Sequence, residues 1–413
     1  MDRIPRNRPI ALVLGGTAPH AILCSKLKKR GFFVVLIDYL EAPPAKESAD
    51  LHLRESSLDA EKVFQIANES NAALVIATCV DQANVTACQV LERLGKYAPY
   101  SSEVAETVSN KILMKTLMLE NGIPTSRFVS VLEPTSTDWV NLEFPLIVKP
   151  CDSNGSKGVR RCDTPEQVVK HIPTALEVSR AKEAVVEEFR EGREIAFDSY
   201  VQDGKVNIVL TRERRKIAQK EDSVQQIYGS FWPANLHPRM IKRLRETGEQ
   251  IAAAFKLDNT PLIVQAIVHG DQLDVIEFAP RIGGGENHRI IAMATGFDAI
   301  DAAIDSFLGA RPKLDIAVPR KLILDNYLYA RPAVYGRIKG LEELLSQDMI
   351  SSFEVYKRAG SLIGPDFSSN NRVAAFTVSA NTEAEGLRRI CEAIAKIEIY
   401  DDKGEAIMIR DIY

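Results

Sequence analysis

Short β-branched apolar runs that stop at a glycine or a charged residue punctuate the first part of the chain. Ile10–Leu14 ends in Gly15-Gly16-Thr17, Phe32–Ile37 ends at Asp38, and Ala73–Ala77 forms a third run. A helical pattern through Ile22, Leu23 and Leu27 separates the first two. Such runs read as strands buried on both faces, and their alternation with helices predicts βαβ units around a parallel sheet, with its working rim at the strand C-termini.

The pattern then changes. Asn110–Leu119 has helical apolar spacing and is closed by Gly122-Ile123-Pro124. Strands are predicted at Phe128–Val131, Phe144–Lys149, Ala184–Phe189 and Ile195–Val201, and an amphipathic helix over Pro238–Leu257 with Ile241, Leu244, Ile251 and Phe255 on its buried face. Ile263–Val268 and Leu273–Phe278 flank His269-Gly270-Asp271-Gln272, a hairpin signal. A helical run from Ile290 to Leu308 breaks at Thr295-Gly296. Strands at Leu322–Ala330, Ile350–Lys357 and Arg372–Ala380, a helix from Thr382 to about Lys396 and a terminal hairpin around Asp402-Lys403-Gly404 complete the chain. An α/β parallel-sheet unit thus opens the chain, and a final β-rich α+β unit is expected from Lys321.

Composition narrows the function classes. The 413 residues carry a net charge of −4, 45% apolar and 26% charged residues, ordinary values for a soluble enzyme with two or three cores. No global basic surface is present to grip nucleic acid. Six scattered cysteines without a CxxC pair indicate neither a zinc site nor a disulfide framework, so a reduced, cytoplasmic protein is expected. The basic N-terminus precedes only five apolar residues, too few for a signal peptide, and no later run approaches a membrane span.

Charged and glycine-rich residues gather at strand ends. The run Gly15-Gly16-Thr17-Ala18-Pro19-His20 is not the dinucleotide fingerprint GxGxxG, and a tight βα turn is the better reading, with Asp38 a strand-end carboxylate. Lys111 near a helix start opposes the helix dipole unless an anion offsets it. Lys149 ends a strand, and Asp152–Val159, with Ser153, Ser156, Lys157 and Gly158, could close over phosphates through backbone N–H groups and hydroxyls without being a P-loop. Glu187 and Glu194 bracket a turn and could accept from adenine and ribose. Arg212–Lys220 is a basic run in a loop-like stretch, read as solvated unless it grips an anion. Glu277, Arg281, Gly283-Gly284-Gly285, Glu286 and His288 put a carboxylate, a guanidinium and bare backbone on one rim, a pattern suited to phosphorylated or carboxylated ligands.

Taken together, Lys111, FPLIVKP, DSNGSKGV, VVEEFREGRE and VIEFAPRIGGG resemble the ATP-grasp superfamily in identity, order and spacing. The nearest type is the carboxylate–amine ligases, such as L-amino-acid ligases, with glycinamide-ribonucleotide synthetase and biotin carboxylase more distant. The resemblance implies an α/β and α+β chain with a Rossmann-like domain over 1–104, a two-lobed ATP-grasp domain over 105–310 and a β-rich C-terminal α+β lobe over 311–413. It implies ATP with Mg²⁺ (or Mn²⁺), small-molecule carboxylate and amine substrates, and a homodimer. The activity implied is phosphorylation of a carboxylate to an acyl phosphate that an amine then attacks; a catalytically degenerate nucleotide-binding module and a bicarbonate-using carboxylase are the alternatives.

Carried residue by residue, the resemblance makes Lys111 and Lys149 phosphate contacts and Ser153 to Gly158 the covering loop. Glu187, Glu188, Phe189 and Arg190 become the adenine-reading hinge, and Glu194 the ribose contact. Glu277 would ligate the metal with Gln265, and Arg281 would steady the acyl phosphate. Gly283, Gly284, Gly285, Glu286, His288 and Arg214 are the substrate candidates. An α-carboxylate would suit Arg281 or a loop arginine, and an amine Glu286. Two departures stand out: Gln265 replaces an acidic residue, and Ala279 stands where the family has a metal-binding Asn.

Overall fold

The computed structural model describes residues 7–217, 226–365 and 369–413. The first unit is a four-stranded parallel sheet in the order Leu51–Leu53, Phe33–Ile37, Ile10–Leu14, Leu74–Ile76. The edge strand Leu51–Leu53 is three half-buried residues, too short to show as an apolar run. Gly15 takes a φ of +103°, and a side chain on Gly16 would strike Pro43 and Asp38. The glycines are therefore needed for a tight turn against the strand-end carboxylate.

Asn110 caps the next helix, Lys111–Glu120, its side-chain oxygen accepting from the Ile112 and Leu113 amides. An antiparallel sheet follows, ordered Phe128–Val131, Ala184–Glu188, Leu146–Pro150, Arg160–Cys162, and the helix Pro165–Val178 packs Val168, Ile172 and Leu176 onto it. Facing it is an eight-stranded antiparallel sheet. Its order is Gln272–Ala279, Thr260–His269, Arg193–Gln202, Lys205–Lys216, Ile227–Trp232, Leu322–Tyr329, Arg372–Ala380, Ser352–Val355. Strands from the middle and C-terminal parts of the chain are thus hydrogen-bonded into one sheet, joined where Gly229–Trp232 pairs with Ile323–Asn326. The strand Ala333–Lys339 and the short helix Leu341–Ser346, neither expected from the pattern, sit in the C-terminal part.

The basic run corrects the sequence reading. Arg212 to Lys216 belong to a twelve-residue strand rather than a solvated loop, while 218–220 lie outside the described residues. Period-two spacing puts Arg212, Arg214 and Lys216 on one face, where carboxylates of the neighbouring strand meet them: Asp198 at 3.5 Å, and Glu194 at 2.8 and 3.0 Å. Charge alternation along a strand, answered across the ladder, looks in sequence like a solvated cluster.

Among the described residues no helix is long and apolar enough to cross a membrane.

Candidate functional site

The two antiparallel sheets face one another across a cleft of about 940 Å³, open to solvent. One end is an apolar slot of Ile147, Val159, Phe189, Ile267, Val275 and Ile276. The Phe189 ring is fixed by the Arg161 guanidinium, 4.5 Å from its centroid. The other end is polar, lined by Lys111, Lys149, Ser153, Gly155, Ser156, Glu194, Arg214, Lys216, Gln265 and Glu277. A slot for a planar ring leading into cations and a glycine-serine loop is the shape a nucleoside polyphosphate needs.

Lys149 is held from beneath by a buried trio. Glu187 Oε1 accepts from Lys149 Nζ at 2.5 Å, and Glu187 Oε2 lies 3.0 Å from Lys115 Nζ. Lys115 also donates to Thr125 Oγ1 and to Ser126 Oγ. Burial alone would push the Glu187 carboxyl up; the two ammonium groups overcome it and hold it at about 2. Burial conversely pushes the Lys115 ammonium down, against the pull of Glu187. Both Glu187 oxygens are therefore occupied by lysines, so this carboxylate orients Lys149 rather than standing free for an adenine amino group. Glu188 is likewise tied, to Arg127 and Arg190, each at 3.2 Å. Glu194, assigned to ribose, receives Arg214 and Lys216 and lies below the usual carboxylate range despite its burial. Lys115 escaped the sequence reading, although a second lysine one helical turn after Lys111 in an otherwise apolar stretch was a visible signal.

The loop between Asp152 and Val159 is shaped by three left-handed residues, Gly155, Ser156 and Gly158, with φ of +66°, +60° and +76°. Lys111 Nζ donates to the Ser153 carbonyl at 2.8 Å, which ties the loop base to the helix start. Gln226 and Ser369 both donate to the Gly155 carbonyl, at 3.3 Å each. Lys157 is exposed and outside the cleft lining, and its carbonyl accepts from Ser153 Oγ. Gly158 is pressed against Pro150, where a side chain would come within 2.9 Å. Neither lines the cleft, so the loop's approach to a phosphate falls to Ser153, Gly155 and Ser156.

Glu277 comes from the hairpin. Gln265 and Glu277 are direct cross-strand partners, and Gln265 Nε2 donates to Glu277 Oε1 at 2.9 Å. Glu277 Oε2 lies 3.5 Å from Lys111 Nζ, which supplies the anion that a cation at a helix start requires. The next pairing is Ala266 with Val275, so Ile276 is an extra residue opposite no partner. That bulge sets Glu277 opposite Gln265, where an even ladder would have put Ile276, and so brings both side chains to the cleft. No group of three or more His, Cys, Asp or Glu side chains among the described residues could cage a metal by itself. One carboxylate and one amide oxygen, both lining the two clefts, nevertheless fit Mg²⁺, which takes few protein ligands and completes its shell with phosphate and water oxygens. Glu277 and Gln265 would hold it. Ala279 contributes nothing to such a shell.

A larger cleft of about 1740 Å³ adjoins the first, and the two share Lys111, Gly155, Ser156, Arg214, Ile227, Gln265 and Glu277. Arg281, Gly284, Gly285 and Glu286 line it. Arg281 is engaged: its Nε and Nη2 donate to the two oxygens of Asp81 at 2.7 and 2.9 Å, and Nη1 to the Ile282 carbonyl. Burial would lower the guanidinium's pKa, and Asp81 raises it. Two of its five N–H groups remain for a ligand. Asp81 opens the helix Asp81–Arg93 of the N-terminal unit, which the sequence reading did not predict. Cys79, just before it, is drawn down to about 7, because His20, Thr17 and Arg281 outweigh its burial. Gly283 packs against Asn287, and His288 is buried at a helix start with its pKa lowered to about 4 by burial and Arg289. Neither lines a cleft, so neither is positioned as a substrate contact.

Residues 142–288 match the model of the ATP-grasp domain. The chain is 26% identical over 205 residues to a carbamoyl phosphate synthase large chain of Thermoanaerobacter sp. (strain X514), a match covering 49% of this chain but only 18% of that one. It is 25% identical over 221 residues to the L-arginine-specific L-amino acid ligase of Bacillus subtilis, covering 52% of this chain and 53% of the ligase. Among solved structures, an L-amino acid ligase from Bacillus licheniformis superposes with a TM-score of 0.80 at 18% identity, covering 96% of this chain and all of the other. The domain match and the shared fold agree with the two-sheet cleft and its glycine-serine loop: residues 142–288 carry an ATP-grasp domain.

Proposed function

We propose that the protein is an ATP-dependent carboxylate–amine ligase. The observation that carries this is the junction of the two clefts at Lys111, Glu277, Gln265 and the Gly155-Ser156 backbone. A nucleotide seated in the smaller cleft directs its terminal phosphate through that junction into the larger one. Phosphoryl transfer between two anions needs positive charge arranged beforehand. Lys149, fixed by Glu187, and Lys111, fixed by the Ser153 carbonyl, provide it. Bound Mg²⁺ would neutralise phosphate charge at the Glu277 end.

Arg281 orients the carboxylate whose oxygen takes the terminal phosphoryl group, and ADP departs. An unprotonated amine then adds to the acyl carbon; phosphate leaves with the C–O electron pair, the surplus amine proton goes to solvent, and an amide remains. The Ser153–Val159 loop, tied to Gln226 and Ser369 through Gly155, keeps water from the acyl phosphate during that interval. The L-arginine-specific ligase among the relatives supports an amino-acid substrate class.

The test is ADP and phosphate release from ATP with pooled carboxylates and amines, followed by mass spectrometry of the products. A new amide mass is the expected result. ADP formation that requires bicarbonate and no amine would identify a carboxylase, and ATP binding without turnover in every pool would identify a nucleotide-binding module.

A further inference from the structure

The arginines of the larger cleft are not equivalent. Arg212 faces Asp198 at 3.5 Å, Arg214 faces Glu194 at 2.8 Å, and Arg281 grips Asp81 at 2.7 Å. Arg372, at the start of the strand Arg372–Ala380, lines the same cleft and has no carboxylate partner among the described residues. Its Nε donates to Tyr329 Oη at 2.9 Å, and that hydroxyl donates onward to the Ile227 carbonyl. The guanidinium lies over the Tyr327 ring, 3.7 Å from the centroid. A stacked face and a tethered Nε fix the plane and leave the Nη1/Nη2 edge free, the edge that matches the two oxygens of a carboxylate. Cations withdrawn from water are normally paired, and an aromatic face offsets only part of the loss. An arginine held rigidly without an anion is therefore built to receive one.

Glu286 lines the same cleft; Tyr356 Oη donates to one of its oxygens at 3.1 Å, and Arg289, shared with Glu354, lies 3.3 Å from the other, so one cation answers two carboxylates. That negative neighbour disfavours a dianionic phosphate and suits a carboxylate with an ammonium group beside it. Arg372, Tyr327 and Tyr356 line only the larger cleft, away from the junction where the phosphoryl group would arrive.

We propose that Arg372 receives a second, non-reacting carboxylate of the carboxyl-donor substrate, so that the substrate class is a dicarboxylate, of the aminodicarboxylic kind where Glu286 takes an ammonium. This rests on the ligase reading for the same site. Its test pairs aspartate and glutamate with their uncharged isosteres asparagine and glutamine, and succinate with butyrate, using the full chain. ADP release should favour the diacid of each pair. In Arg372→Gln the KM for the diacid should rise about tenfold or more with kcat and the KM for ATP little changed, and Arg372→Lys should recover part of the loss. Calorimetric titration of glutamate and succinate, with a non-hydrolysable ATP analogue present, separates the two ideas. Binding weakened about tenfold in Arg372→Gln upholds the site even if no pool gives turnover. Overturning results are equal loss for diacid and isostere, a wild-type preference for the isostere, tighter binding of a phosphate monoester, or products in which the second carboxylate lies on the amine partner.

Discussion

At the scale of single residues, the site depends on charges that restrain one another. Glu187 is the centre of the smaller cleft's base, holding two lysines with two oxygens. Glu187→Gln would leave both ammonium groups buried without an anion, and losing one member of a buried pair costs roughly 3–5 kcal/mol. Chemical denaturation should register that loss, and ATP affinity should fall with it; an unchanged midpoint would mean the trio is not a structural anchor. The pH dependence has a definite sign. The folded carboxyl lies at about 2, against an ordinary 4.5, so its stabilisation is complete above pH 4.5 and disappears as pH falls through 2. At 1.36 kcal/mol per unit it amounts to about 3 kcal/mol at most, less what burial of Lys115 costs. Cys79 offers a second readout. With its thiol near 7, alkylation followed by peptide-resolved mass spectrometry should reach half-maximal rate near pH 7, while an ordinary thiol does so near pH ~8.5. A Cys79 profile matching that of a free thiol would contradict the influence of His20 and Arg281.

Among the elements, the hairpin Thr260–His269 and Gln272–Ala279 does the most to aim the chemistry. Gly270, at φ +56°, begins its two-residue turn, and the ladder runs regularly as far as Leu273–Val275. Ile276 then interrupts it and turns Glu277 into the cleft. Deleting Ile276 should restore an even pleat and leave Glu277 opposite Gln265 on the cleft face, because cross-strand partners share a face. Glu277→Gln removes the charge instead, and the expected outcome is retained secondary structure by circular dichroism with Mg²⁺-dependent ATP binding weakened about tenfold or more; undiminished binding would show that Glu277 does not hold the metal. The hairpin and its turn residue were legible in sequence because alternation and a glycine turn are local signals. The bulge was not, since one unpaired residue appears only when the partner strand is present. The same limit hid the roles of Asp81, Tyr327 and Arg372, whose partners lie far away in the chain. It also made Arg212–Lys216 look solvated, because Asp198 and Glu194 belong to another strand.

In the whole molecule, side chains at the cleft link stretches far apart in sequence, beside the apolar cluster that packs the parallel sheet against the segment from Ile290 to Phe307. Arg289 reaches Glu354, Ser369 reaches Gly155, and Asp81 reaches Arg281 across 200 positions of sequence. The eight-stranded sheet makes the C-terminal residues continuous with the ATP-grasp strands, so the larger cleft has a wall from every part of the chain. The Asp81–Arg281 fork carries a consequence of its own. An anion that draws on Arg281 competes with the carboxylate seating the N-terminal unit, so occupancy and seating form one linked equilibrium, and linkage of this kind is reciprocal. Removing the internal competitor should therefore favour the external one. Asp81→Asn is expected to bind a carboxylate ligand more tightly while amide exchange in the Asp81–Arg93 helix quickens, and ligand added to the unaltered chain should quicken the same amides. If those amides ignore the ligand, Arg281 serves the interface alone. If they respond, the first hundred residues act as a counterweight against which every substrate anion is measured.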